Sequence, residues 1–265
     1  MLSYAFIFAR KIRRNIKHFR WTFLNNNCAS LGELNVSLLS INKHEYSLLT
    51  ITCVKSFLYW HPNSKVVVYC DQITWPELNK KLKNKWYRHR NNIQLLPEEF
   101  STSDPWQKHK LRIILDLNPH SFFMDADLRW NGKIPLTLSE VYFFSTHESL
   151  NETSPFRQML MLLGKLSERN YFMRNVSLVC FGCLTLSNEF KKKTWDLWYE
   201  YEKMLSSDHF GENDKRTLQR LIEQIVLSIN CEDFFSKISS LKEIDRHMDG
   251  RFVESCYFDA TGFTF

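Results

Sequence analysis

The sequence predicts an α/β fold in which helices flank a mixed, mostly parallel sheet. Three observations lead there. Strand-like and helix-like runs alternate from residue 34 to about residue 146. The strand-like runs, Val66-Val67-Val68 and Phe122-Phe123-Met124 above all, are apolar without alternation, as in strands covered on both faces. Glycine and proline number only seven each in 265 residues, which leaves little room for linkers or disorder.

Taken in order, "LNVSLLSI" is a short strand that ends in the polar pair Asn42-Lys43. "HEYSLLTITCVKSFLYW" follows as a helix, with Tyr46, Leu49, Cys53, Phe57 and Trp60 at helical spacing. His61-Pro62-Asn63-Ser64 stops it. "KVVVYCD" is a buried strand ending at Asp71, and "TWPELNKKLKNKW" a helix capped by Thr74 with Pro76 in its first turn. "NIQLLP" is a strand, and "DPWQKHKLRIILDLNP" a helix running from Pro105 until just before Pro119. "HSFFMDAD" and "EVYFFST" are the next two strands. Alternation of this kind implies βαβ units and a parallel-rich sheet.

The second half is more helical. "PFRQMLMLLGKLSERN" and "NEFKKKTWDLWYEYEKML" read as helices, and so does "ENDKRTLQRLIEQIVLSIN", with Leu218, Leu221, Ile222 and Ile225 as one buried stripe. "VSLVCFGCLTLS" is a strand pair or a strand broken at Gly182, and the tail holds one or two short strands. With 44% hydrophobic residues the chain suits one large domain. The expected organisation is a basic N-terminal helical segment (1–33) and a single domain (34–265), divided into halves at 34–131 and 132–265.

Lys and Arg total 35 against 29 Asp and Glu, and much of the excess sits in "ARKIRRNIKHFRW" near the start. The remainder is near neutral, so no specific nucleic-acid partner is expected. The opening apolar run is too short to span a bilayer, and its charges follow it instead of preceding it, unlike a secretory signal. Residues 1–23 form either a basic amphipathic helix lying on an anionic membrane surface or an ordinary solvated helix. Seven cysteines in scattered apolar contexts suggest reduced thiols and a cytoplasmic setting, peripheral on the cytoplasmic membrane face under the first reading of that helix. A lone Cys180-x-x-Cys183 with no second pair is a poor zinc site.

Asp125 and Asp127 bear the chemistry. They stand at the end of an apolar strand, where open α/β sheets place their ligands. A carboxylate buried there needs a partner. Two acids two residues apart can converge on one hard cation, Mn²⁺ or Mg²⁺, shared with a diphosphate. A solvated turn is the simpler reading of the same triplet.

At this point "FFMDADLRWNGKIP" resembles the DxD region of GT-A-fold glycosyltransferases, similar to enzymes that build bacterial surface polysaccharides. "HEYSLLTITCVKSFLYWHPNSKVVVYCD" is similar to the first βαβ unit of that family, and "WQKHKLRIILDL" to the helix before its DxD strand. "VSLVCFGCLTLSN" resembles the glycine-containing strand, commonly F-N-x-G-x-x-x-x-N, and "LIEQIVLSIN" a later segment whose acid faces the reaction centre. The resemblance covers about residues 34 to 230.

It implies a Rossmann-like GT-A sheet, a metal-dependent transfer, and a UDP- or GDP-sugar donor with a glycan or glycolipid acceptor. Asp127 would ligate the metal, with Asp125 nearer the ribose or a metal-bound water. Ser40, Ile41, Asn42 and Ala126 would line the nucleotide pocket, and Asp71 would meet base or ribose. Lys110, with Lys108 or Arg112 as alternates, would approach the diphosphate. His247 is the nearest candidate for a third metal ligand, with Asp259 as a substitute. Glu223 and Glu148 are the candidate catalytic carboxylates. Trp106 and Trp130 flank the motif as candidate sugar platforms. The family's F-N-x-G asparagine is missing here, since Phe181-Gly182-Cys183 stands in that position. Other readings are a metal-dependent nucleotidyltransferase or phosphohydrolase, and a non-enzymatic basic adaptor for membranes or nucleic acid.

Overall fold

The computed structural model describes residues 34–42, 44–101, 103–132, 141–146, 155–163 and 173–241, with the backbone of short strands between 253 and 263. Segment 1–33, Glu148 and His247 lie outside the described residues. In chain order the elements are β1 (Asn35–Ser40), α1 (His44–Trp60), β2 (Lys65–Cys70), α2 (Trp75–Leu82), β3 (Ile93–Pro97), α3 (Trp106–Leu115), β4 (Ser121–Met124) and β5 (Leu128–Trp130). Then come β6 (Val141–Thr146), α4 (Pro155–Leu162), β7 (Arg174–Cys180), α5 (Asn188–Leu205), α6 (Glu212–Arg220), α7 (Ile222–Phe234), β8 (Ile238–Ser240) and β9 (Val253–Ser255). Phe258–Asp259 and Gly262–Phe263 close the chain as a two-stranded ribbon.

The main sheet has seven strands in the order β3-β2-β1-β4-β7-β6-β8. β3, β2, β1 and β4 are parallel, β7 runs against both neighbours, and β8 is parallel to β6. Six strands therefore share one direction, and the mostly parallel sheet expected from the apolar runs is present.

Alternation sorts the strand residues between two cores. Phe122 and Met124 join Val36, Val66 and Val68 under α1 and α2, where Cys53, Phe57, Leu78 and Leu82 complete the layer. Phe123, one residue out of phase, faces the other way. It joins Phe143 and Val179 beneath α3, α5 and α7, against Leu111, Ile114, Trp198 and Ile225.

Four readings change. The helix expected over 74–86 stops at Leu82, because Lys83 caps it and Asn84 turns the chain through its side chain onto Trp86 N at 2.9 Å. Thr74 makes no cap of its own; Asp71 Oδ1 accepts Ile73 N (3.1 Å) and Thr74 N (2.9 Å) and does that work. The helix expected over 212–230 is two helices, broken at Leu221 with φ −107° and ψ 6°. Trp130 is not a sugar platform: it is 1% exposed, packed edge-on to Phe57 at 5.5 Å, and its Nε1 points at Met124 Sδ. Trp130→Ala is accordingly expected to cost about 3–5 kcal/mol in urea denaturation, where a surface platform would lose only ligand affinity.

Candidate active site

The carboxyl ends of β1, β2 and β4 lie along one sheet edge. β1 delivers Ser40, Ile41 and Asn42 there, and Asn42 takes the left-handed backbone (φ 76°). Asp71, at the end of β2, accepts Asn42 N at 2.6 Å while its other oxygen holds the start of α2. Thr74 Oγ1 ties the same corner to Ser40 O. Asp71 thus clamps the loop after β1; its carboxylate is already occupied by main-chain donors. Ser40 Oγ is buried without a hydrogen-bond partner.

β4 ends at Met124, and Asp125-Ala126-Asp127 forms a turn closed by Leu128 N to Asp125 O at 3.3 Å. The two carboxylates are gathered by this turn, not by the extended strand that spacing suggested. Asp125 N donates to Ser177 O at 2.7 Å, which moors the turn to β7. Because β7 is antiparallel, its start stands beside Asp125 and its end beside the start of β4, where His120 N bonds Gly182 O at 2.7 Å. Gly182 (φ 63°) is therefore at the far end of the sheet, away from the aspartates. Ser177 borders Asp125 through its bond to Asp125 N, and Asn175, two residues before it in β7, accepts Ser177 N through Oδ1 at 2.8 Å. Knowing that β7 is antiparallel would have directed attention to Arg174-Asn175-Val176-Ser177.

Two helices bring the remaining charges. Lys110 of α3 is 2% exposed and donates to Asp125 Oδ2 at 2.9 Å, with Glu223 Oε1 at 3.6 Å. The first contact is a charge-assisted hydrogen bond; the second is an ion pair too long to be one. Lys108 pairs with Asp104 and Arg112 with Glu98, so neither alternate reaches the site. Residues two apart on a helix differ by about 200° in direction, which separates Lys110 from both. Trp106 is 42% exposed and lies 5.7 Å from the Lys110 ammonium, so it remains at the rim.

Glu223 is wholly buried in the first turn of α7. Neither of its oxygens has a hydrogen bond, and Asp127 Oδ1 is likewise buried and unpartnered. Burial pushes the Glu223 carboxyl up to about 7 against the pull of Lys110. Burial, helped by the charge of Asp125, lifts Asp127 to about 6. Burial pulls the Lys110 ammonium down, but Asp125, Glu223 and Asp127 outweigh it and keep it above its ordinary value. Three carboxyls and one ammonium thus share a site with more acceptor capacity than the protein satisfies.

The donor set fits a hard divalent cation in part: two neighbouring carboxylates, one with an orphaned buried oxygen. Among the described residues no group of three His, Cys, Asp or Glu forms a complete ligand set. Residues of α5, α6 and the segments just before α3 and at the start of α7 line a groove of about 630 Å³, among them Pro105, Trp198, Glu202, Lys215, Arg216 and Ile222. Ile222, the residue before Glu223 in α7, belongs to its lining.

No protein-family model matches the chain, and no curated protein matches it. Solved structures do. An active-site mutant of LgtC is 12% identical, with a TM-score of 0.51, covering 78% of this chain and 72% of that one. The galactosyltransferase LgtC with donor and acceptor sugar analogues is 13% identical over 71% of this chain and 70% of that one, with a TM-score of 0.44. The glycosyltransferase GlyE of Streptococcus pneumoniae TIGR4 is 14% identical over 82% of this chain but 46% of that one, at 0.47. From the first of these, together with the sheet described above, the chain has the GT-A-type α/β fold seen in LgtC.

Proposed function

We propose that the chain is a glycosyltransferase that moves a sugar from a nucleoside-diphosphate sugar to a hydroxyl of a glycan or glycolipid acceptor. One observation carries this reading: Lys110, Asp125, Asp127 and Glu223 converge at the carboxyl edge of a GT-A-type sheet with carboxylate oxygens left unpartnered. Half 34–131 would hold the nucleotide, with Ser40, Ile41, Asn42 and Ala126 lining its pocket. Half 132–265 would hold the acceptor, entering by the groove beside Ile222.

Asp125 and Asp127 are the residues that would hold Mn²⁺ or Mg²⁺, with His247 as candidate third ligand. Such a cation, when bound, neutralises charge on the departing diphosphate. Lys110 fixes Asp125 in place and supplies a second positive charge toward the same side. Glu223, with a carboxyl poised near neutrality, suits a group that accepts a proton from an attacking hydroxyl. Asn175 and Ser177 supply the N-x-small pattern beside Asp125 that Phe181-Gly182 does not, and they are the better counterparts of the family's F-N-x-G. The setting of the reaction in polysaccharide or glycolipid synthesis, and contact of residues 1–23 with a membrane, belong to this proposal.

The test is a panel of UDP- and GDP-sugars with Mn²⁺, read as release of nucleoside diphosphate. One donor is expected to be hydrolysed, and Asp127→Ala to reduce its turnover by at least about 100-fold. No turnover of any donor, with no thermal shift on adding UDP or GDP, would count against the reading.

A further inference from the structure

Away from this site, the surface between α2 and β3 has a composition of its own. Residues 78–97 contain no acid. They contain Lys80, Lys81, Lys83, Lys85, Arg88 and Arg90, and at their centre Trp86 is 83% exposed. A tryptophan left this bare forgoes the burial that usually stabilises it.

The loop that presents it is well tied. Tyr87 N bonds Asn84 O at 2.9 Å, Arg90 N bonds Tyr87 O at 3.1 Å, and Asn92 N bonds His89 O at 3.0 Å. Lys83 Nζ donates to Arg90 O (3.0 Å) and Ile93 O (2.8 Å), and Asn92 Nδ2 reaches across to Pro62 O and Ser64 O. Tyr87, the next residue, turns inward onto the core, with the Lys55 ammonium 5.4 Å from its ring. Trp86 therefore faces water because its frame holds it there, with the Lys85 ammonium 5.2 Å from its ring. Of the cations, Lys81 has Glu77 at 4.0 Å, whereas Lys80 and Lys85 have no ion pair among the described residues.

We propose that this surface docks on an anionic phospholipid bilayer. Exposed lysines and arginines in excess over acids complement a negative surface, and an outward tryptophan among them is the side chain that settles at a membrane–water boundary. A soluble polyanion without bases, such as heparin, complements the charge but gives the bare indole no reason to be there. The surface lies at the amino end of the strands: Asn92 meets the Pro62–Ser64 turn, and Ile93 pairs with Val66. Asp125 lies past the opposite end of the sheet, roughly 20 Å away over a strand of this length. Docking here would anchor the protein by the end of the sheet opposite the charged cluster.

The test uses the full chain with vesicles of phosphatidylcholine, with and without phosphatidylglycerol, in a sedimentation assay. Lys80→Ala with Lys85→Ala is expected to lower partition onto the anionic vesicles by about 30-fold, since each such charge contributes about fivefold. Trp86→Ala is expected to lower it by about tenfold and to leave retention on heparin unchanged. All three positions are exposed, so equal thermal midpoints confirm intact folding. Unchanged partition in both variants would overturn the proposal. So would a Trp86→Ala protein that binds vesicles normally while the lysine variant loses vesicles and heparin alike, which would mark a site for soluble polyanions.

Discussion

Lys110→Met is expected to lower stability by about 3–5 kcal/mol at pH 7, because it strands buried Glu223 and part-buried Asp125, which pair with no other cation among the described residues. Lys110 is 2% exposed between Asp125 and Glu223, and removing it leaves Glu223 with no hydrogen bond and no ion pair among the described residues. Lys108→Met, two residues away on the solvent side, removes only the exposed pair with Asp104 and should cost at most about 1 kcal/mol. Urea denaturation of both variants reads the contrast directly. The loss for Lys110→Met should shrink as pH is lowered toward 5, where the stranded carboxyls take up protons. Equal losses for the two lysines would mean that the buried cluster is not held by charge.

Glu223→Gln is expected to act in the opposite direction on stability and to abolish transfer. The carboxyl titrates near an ordinary 4.5 when unfolded and near 7 when folded. Its folded form therefore holds a proton more tightly, and the associated stability is fully present below about 4.5 and lost as pH rises through about 7. The full loss is about 3 kcal/mol, a figure that already includes the pull of Lys110. Glutamine stays neutral throughout, so the variant should match the parent at pH 4.5 and exceed it by up to that amount at pH 8. Asp127 adds a parallel loss between about 3.8 and about 6 in both proteins. Thermal midpoints across this pH range check the sign, and donor turnover checks the cost to function. A protein less stable than its parent at pH 8 would contradict the buried-acid account.

Much of the architecture was legible because it depends on local chemistry. Apolar runs such as Val66-Val67-Val68 cannot face water, and the helix over 44–60 carries its own spacing and stop. Asp125 and Asp127 were legible as candidates because acids at the end of an apolar strand need partners, and Lys110 and Glu223 through the resemblance of their segments to those of the glycosyltransferase family. What was hidden depends on long-range placement. The direction of β7 follows from which strand it joins, and nothing in Arg174–Cys180 announces that; hence Gly182 was assigned to the site and Asn175 was passed over. The break at Leu221 replaces no strong helix former with a poor one, yet it gives α7 its own first turn, from which Glu223 reaches Lys110. Trp106 and Trp130 look alike in sequence, and only packing against Phe57 and Trp60 decides that the second is core.

The most direct test of the central claim is calorimetric titration of UDP and GDP into the protein with Mn²⁺ present. One of the two is predicted to bind, and binding should vanish with a chelator and in Asp127→Ala, whose fold should remain intact. Failure of both nucleotides to bind, or binding that is indifferent to Mn²⁺ and to Asp127→Ala, would contradict the assignment of this cluster to a nucleotide-sugar diphosphate.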